Sequence, residues 1–231
     1  MDIDQAIRER RSVRKFLPDP IGDAELEAVI EAGVWAPSAC NIQGWRFIIL
    51  SKPRVTGIVL EGGSSIMLDA PANILVCYRN TTRNMEYSDH LQSAGACVQN
   101  MLLKAHSMGL GACWICQLPP RQRVREILGI PFYYDPVACV AIGKPAPIAE
   151  EIGKTVKHYS DPVARPRRHR LSDIVFHDRF VEDSKEIHKL LNILTWDNDD
   201  AEALRRVARM YAGQGRIADL FGLCEHLMGK R

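Results

Sequence analysis

Arg10, Arg11 and Arg14, with Ser12 between them, put three guanidinium groups and a hydroxyl within five residues. Guanidinium forks and a hydroxyl donor suit a phosphate, which takes charge-assisted and often bidentate hydrogen bonds. A second basic run, Arg165-Pro166-Arg167-Arg168-His169-Arg170, lies far away in the sequence. If the two converge they make an anion site; if not, each is a solvated basic turn, and sequence alone does not bring them together. Between Ala36 and Trp45 stand Pro37, Ser38, Ala39, Cys40, Asn41, Ile42 and Gln43, small and amide-bearing residues able to offer hydrogen bonds to a planar heterocycle. The same stretch also reads as an ordinary Pro/Asn turn. Cys113-Trp114-Ile115-Cys116 has the spacing of a redox dithiol, but such a pair belongs at a helix N-terminus after a strand. Here Cys113 falls inside a strand pattern, its side chain opposite in direction to that of Trp114. No second cysteine pair or nearby histidine completes a zinc set. The seven histidines show neither nucleophile-plus-base nor ligand spacing.

These residues need a scaffold, and the apolar pattern supplies one. Ile3, Ala6 and Ile7 mark a short amphipathic helix that ends in the first basic run. Asp23 reads as the N-cap of a helix carrying Leu26, Val29, Ile30 and Gly33 on one face. Trp45–Leu50 and Asn73–Tyr78 read as strands. The longest helical pattern runs from Tyr87 to Ser107, and its all-small centre, Ser93 to Cys97, lets another backbone come close. Leu110–Ile115 is a strand, Pro119-Pro120 opens a helix, and Val137–Ile142 is a fully apolar strand. Strands alternating with helices, two of them nearly all apolar, predict a sheet covered on both faces. Asp183–Trp196, Asp200–Ala212 and Arg216–Met228 read as three further helices after a polar, proline- and arginine-rich stretch.

The 231 residues suffice for one substantial core. With 46% hydrophobic and 25% charged residues the composition is that of an ordinary globular protein, and the net charge of +2 gives no global reason to expect nucleic acid as a partner. The apolar stretches are far shorter than a membrane span, so no membrane association is expected. MDIDQAIRERR has no apolar core and does not read as a signal peptide. Seven scattered cysteines suggest reduced thiols and a cytoplasmic protein.

Singly these features are weak, but their order is specific. RRSVRKF at Arg10–Phe16, APSACNIQGWRFIIL at Ala36–Leu50, GLGACWI at Gly109–Ile115, VACVAIGKP at Val137–Pro145 and RHRLSDIVFHDRF at Arg168–Phe180 resemble, in that order, the motifs of the FMN-dependent nitroreductase family in its compact single-domain branch. The resemblance covers residues 1–180 as an FMN-binding domain and leaves 181–231 as a helical C-terminal extension. It implies an α+β fold, a mixed sheet flanked by helices, built as an intertwined homodimer with FMN at the interface. It also implies that Arg10, Arg11, Ser12 and Arg14 hold the phosphate, the ribityl chain and the pyrimidine edge, with Arg14 near the N1/C2 carbonyl end. Pro37, Ser38, Ala39 and Asn41 would reach the same flavin from the other subunit, supported by Gln43. Trp114, Ile115 and Cys116 would run under the ring, and Arg168 would close on the phosphate.

The implied activity is a ping-pong transfer of electrons from NAD(P)H through FMN to a small organic acceptor such as a nitroaromatic or a quinone, with no obligatory side-chain acid or base. The alternative is a flavin-binding or regulatory protein without turnover, whose C-terminal helices recruit a partner. The chain departs from the family pattern where Gly44 replaces a usual proline, where Cys40 replaces a usual glycine, and where Cys116-Gln117 follows the strand in place of a glycine. His169-Arg170 stands for the usual Lys-Pro.

Overall fold

The computed structural model describes residues 1–81, 84, 86–146, 168 and 170–178. The chain divides into two compact units, Met1–Arg165 and Pro166–Arg231. The three helices expected within 181–231, and Cys224 with them, lie outside the described residues.

The first unit is organised by four strands: β1 (Trp45–Ile49), β2 (Ala72–Arg79), β3 (Gly111–Ile115) and β4 (Tyr134–Gly143). They form one sheet in the order β1-β2-β4-β3 with antiparallel neighbours throughout. A parallel bridge from Ser12 to Ala112 at the β3 edge makes the sheet mixed. The two central strands are buried almost end to end, as the apolar runs require. Their side chains alternate between two cores. Ile74, Val76 and Tyr78 of β2 with Ala138, Val140 and Ile142 of β4 face one side, and Leu75 and Cys77 with Cys139 and Ala141 face the other.

Two helices, α2 (Asp23–Val34) and α5 (Asp89–Ser107), cover the first face. The second is covered by α3 (Lys52–Leu60), α4 (Ile66–Asp69) and α6 (Arg121–Leu128), through Val55, Ile58, Met67 and Val124. The small-residue stripe of α5 does what its composition predicts, for Ser93, Ala94, Cys97, Val98, Met101 and Ala105 are all buried. A Cβ on Gly33 of α2 would stand 2.8 Å from both Cys97 Sγ and Met101 Cγ, so the missing side chain on α2 makes room for Cys97 and Met101 of α5.

Three local expectations are corrected. The cap of α2 is Gly22, whose N–H donates to Glu25 Oε2 at 2.9 Å, and Asp23 falls in the first turn. α5 begins at Asp89, not Tyr87, because Ser88 adopts a left-handed φ of 48° that breaks the approach. α3 and α4 are not legible in the sequence: Pro53 reads as a strand boundary, yet it sits in the first turn of α3, where a proline is well tolerated. The second unit shows a short helix, α7 (Leu171–Ile174), beside exposed Arg168 and Arg170.

Gly33→Val should retain the fold and lower the unfolding free energy by about 1–3 kcal/mol, the usual range for forcing methyl groups into a packed contact. Denaturant unfolding checks this, and an unchanged midpoint would mean that α2 and α5 can separate freely at this point.

Candidate functional site

The first predicted segment is anchored by α1 (Ile3–Glu9) and by β3. Asp2 caps α1 through its Oδ1, which accepts the N–H of Gln5 at 2.8 Å, and Ala6 is the helix's buried residue. Past Arg10 the chain lies along β3. Val13 N–H donates to Ala112 O at 3.0 Å, and the close approach is possible because Gly111 has no Cβ, which would stand 2.7 Å from Val13. Arg10 and Arg14 both act on the thiol of Cys113, whose pKa burial raises while their positive charges pull it back. Both flank the Ser12-Val13 stretch that is bonded to Ala112, so the segment carrying them runs beside β3. Arg11 is engaged elsewhere. Its Nη1 donates to the carbonyls of Arg8 at 2.6 Å and Arg10 at 2.9 Å, closing the end of α1. Ser12 is exposed, and its carbonyl accepts from Arg14 Nη1 at 3.3 Å. His106 of α5 feels the same arginines. Burial, Arg10 and Arg11 lower its pKa against the pull of Glu9, and its Nε2 is buried with no hydrogen-bond partner among the described residues.

The second segment is the turn before β1. Cys40, Asn41 and Gln43 all adopt left-handed φ, at 50°, 54° and 50°. Asparagine tolerates this region, but cysteine and glutamine do so at a cost of roughly 1–3 kcal/mol each, and such strain concentrates at ligand clamps. What holds it is a set of local bonds. Ser38 Oγ accepts Gln43 N–H at 3.0 Å, Ser38 O accepts Asn41 N–H at 2.9 Å, and Gln43 Nε2 donates to Asn41 Oδ1 at 3.0 Å. Ala39 N–H donates to Ser93 Oγ of α5 at 3.1 Å. Pro37, Cys40, Asn41 and Gln43 stay exposed. Gly44 explains its own presence: a Cβ there would stand 2.8 Å from the Tyr78 ring.

The third segment is the end of β3. Ile115 faces the second core, Trp114 packs toward the first, and Cys116 is exposed. The Trp114 ring lies against Gly95 of α5, and its Nε1 is buried with no hydrogen-bond partner among the described residues. Cys116 O accepts Leu118 N–H at 3.0 Å, starting the turn into α6.

Within one chain these segments divide into two groups. Arg10, Ser12, Arg14 and Trp114–Cys116 sit at the β3 edge, whereas Pro37–Gln43 precedes β1 at the opposite edge. Three strand spacings separate the edges, about 14 Å at ~4.8 Å each. α5 stands between the groups as well. Ser93 takes the loop and Gly95 takes Trp114, and residues two apart on a helix point to opposite sides. Arg168 belongs to the second unit, and its convergence with Arg10 stays an expectation of the resemblance.

Sequence reasoning missed Asp135, at the start of β4 and 5% exposed. Arg121, Arg125 and Asn80 donate to its carboxylate, and His90 Nε2 lies 3.5 Å from it. The available signal was an acid, Asp135, interrupting the entrance to an apolar strand. A cleft of about 300 Å³ lies between Pro18 and Pro71, at the end of the sheet where Ser12 bridges Ala112, and none of the predicted residues lines it. Among the described residues no group of three or more His, Cys, Asp or Glu side chains could hold a metal ion. No described helix is long and apolar enough to cross a membrane.

Residues 7–61 and 57–144 match the Nitroreductase family. A protein of Methanothermobacter thermautotrophicus described as an NADH dehydrogenase/NAD(P)H nitroreductase is 30% identical over 151 residues, which cover 63% of this chain and 78% of the relative. An NADH dehydrogenase of Thermus thermophilus is 28% identical over 182 residues, covering 63% and 88%. Among solved structures, a protein of Desulfovibrio desulfuricans described as a nitroreductase, in complex with FMN, aligns with a TM-score of 0.61 at 29% identity, covering 78% of this chain and 99% of its own.

The thiols yield a direct check. Burial pushes Cys77, Cys97 and Cys139 up to about 12, and Cys113 in the same direction, while Cys40 and Cys116 are exposed. A maleimide at neutral pH should therefore label Cys40 and Cys116 first among these six, as read by peptide mass mapping. Early labelling of Cys113 would mean that its strand face is open.

Proposed function

This chain belongs to the nitroreductase family, and from that premise we propose an FMN-dependent NAD(P)H oxidoreductase that works as a homodimer. Each flavin lies between Arg10, Ser12, Arg14 and the end of β3 of one protomer and the Pro37–Gln43 loop of the other. The observation that carries this reading is the division of the site residues between opposite sheet edges, with α5 between them. Two half-sites facing outward from one chain make two whole sites when a second copy is apposed by a two-fold axis.

The residues present suit FMN. Arg10 and Arg14 bring two guanidinium groups beside β3, Ser12 adds an exposed hydroxyl, and the strained loop exposes amide side chains from Asn41 and Gln43. When bound, FMN would supply the two-electron redox chemistry that a ping-pong exchange between donor and acceptor requires. Arg10 and Ser12 bind phosphate and ribityl oxygens. Arg14 places a permanent positive charge at the pyrimidine edge, where it favours the electron-rich, reduced state. Arg11, engaged with the end of α1, keeps that helix terminus closed and so sets where Ser12 begins. Trp114 and Ile115 fix the β3 floor by reaching into opposite cores, leaving Cys116 at the rim. No side chain is required as an acid or base. The acceptor is a small organic molecule able to stack in an open site, of which nitroaromatics and quinones are the first to test.

The double variant Arg10→Ala/Arg14→Ala should stay folded and lose its flavin. Two charge-assisted contacts are worth about 1.5–3 kcal/mol each, so affinity should fall by roughly 10²–10⁴. The measurement is the flavin absorbance of the purified protein, before and after anaerobic NADPH. The parent should be yellow and bleach, and a double variant as yellow as the parent would contradict the assignment of these arginines. Flavin that never bleaches would favour the binding protein without turnover.

The shared site has its own test. Asn41→Pro cannot keep a positive φ, so it should break the loop. Mixing that variant with Arg10→Ala/Arg14→Ala and allowing subunits to exchange should restore flavin to about a quarter of the sites, because half the dimers are hybrids with one intact site each. No recovery on exchange would show that each chain builds its site alone.

A further inference from the structure

Four elements meet at the Asp135 carboxylate. Arg121 Nη1, on the first residue of α6, donates to Oδ2 at 2.8 Å, and Arg125 Nη2, one turn later, donates to Oδ1. Asn80, just past β2, donates to Oδ1 at 2.9 Å from its side chain, and its backbone N–H donates to Tyr133 O at 3.0 Å. His90, on the first turn of α5, brings Nε2 to 3.5 Å from Oδ2. Asp135 and His90 are 5% and 8% exposed, so this is an interior junction. A fold that needed only to fill this space would use apolar side chains, since a buried ionic group rarely stabilises more than they do.

Two of the joined elements lead straight to the site. α6 starts directly after the Cys116–Pro120 turn, so drawing Arg121 and Arg125 onto Asp135 fixes where that turn must end. α5 carries Ser93 one turn beyond His90. Ser93 Oγ accepts the Ala39 N–H at 3.1 Å and donates to Asp89 O at 2.9 Å, so the strained loop hangs from the same helical turn from which His90 approaches Asp135. Resting on the shared-site reading above, we propose that Asp135 is a positioning residue for two different flavin sites at once. Through α6 it places the β3-end segment of its own protomer's site, and through His90 and α5 it places the loop that serves the partner's site. Asp135 itself touches neither flavin.

The arrangement makes a prediction that a purely structural role does not. In a hybrid dimer of one parent and one Asp135→Asn protomer, each site draws one segment from the variant chain, so both sites should weaken. In a hybrid of parent with Arg10→Ala/Arg14→Ala, one site should bind like the parent and the other should be lost. The experiment isolates differently tagged, full-length hybrid dimers and titrates them with FMN, following quenching of flavin fluorescence. Asp135→Asn hybrids should show both sites weakened by about tenfold or more, the scale of one misplaced charge-assisted contact. His90→Gln, which cuts only the α5 branch, should weaken one site of a hybrid and spare the other, and it decides the question if Asp135→Asn fails to fold. Hybrids with one parental affinity for Asp135→Asn, or parental affinity at both sites despite a lowered Tm, would overturn the proposal. A parent protein that binds no FMN would overturn the family-based function instead, and a flavin-loaded monomer would overturn the shared site.

Discussion

Burying β2 and β4 on both faces is the constraint from which the rest of the first unit follows. A strand covered on both sides can present nothing to a ligand, and its backbone groups are spent on its neighbours. Within the sheet, only β1, β3 and the segments attached to them are left to meet a cofactor or a second chain. The predicted residues obey that restriction. The arginine segment anneals to β3, the Trp114–Cys116 run ends it, and the strained turn leads into β1. The two edges belong to the same sheet and lie three strand spacings apart. The cleft between Pro18 and Pro71 is lined by none of them.

Much of this is legible in the sequence because it depends on local chemistry. The central strands announce themselves as apolar runs, α5 as a periodic stripe with a small centre, and the edge segments as motifs in a fixed order. The opposed directions of Cys113 and Trp114 follow from the strand period alone, and the two cores confirm them. What stays hidden depends on partners that the motif pattern does not reveal. Arg11 looks like Arg10 and Arg14 in the motif, yet its guanidinium is taken by the carbonyls of its own helix end. The left-handed backbone at Cys40 and Gln43 carries no compositional mark, since neither residue favours that region; bonds from Ser38 and Ser93 enforce it. Asp135 is a single acid in the sequence and becomes a junction only when β2, α5 and α6 bring Asn80, His90 and the arginines to it.

The surroundings of Cys113 at the β3 edge also argue against a dithiol as the electron carrier. A dithiol needs one thiol that ionises near neutral pH and a second within reach. Arg10 and Arg14 stand close enough to Cys113 to favour its thiolate, and still burial prevails and its pKa goes up. Its side chain lies in the second core while Cys116 is exposed past the strand end, and the nearby Cys116 adds to the upward shift. The same arginines that fail to activate the thiol still set a positive sign at this edge, which suits an external anion. Two guanidinium groups, an exposed hydroxyl and a strained amide-bearing loop have the chemistry to position and polarise an anion and no redox chemistry of their own. A phosphorylated flavin as the source of redox chemistry fits the family to which the chain belongs.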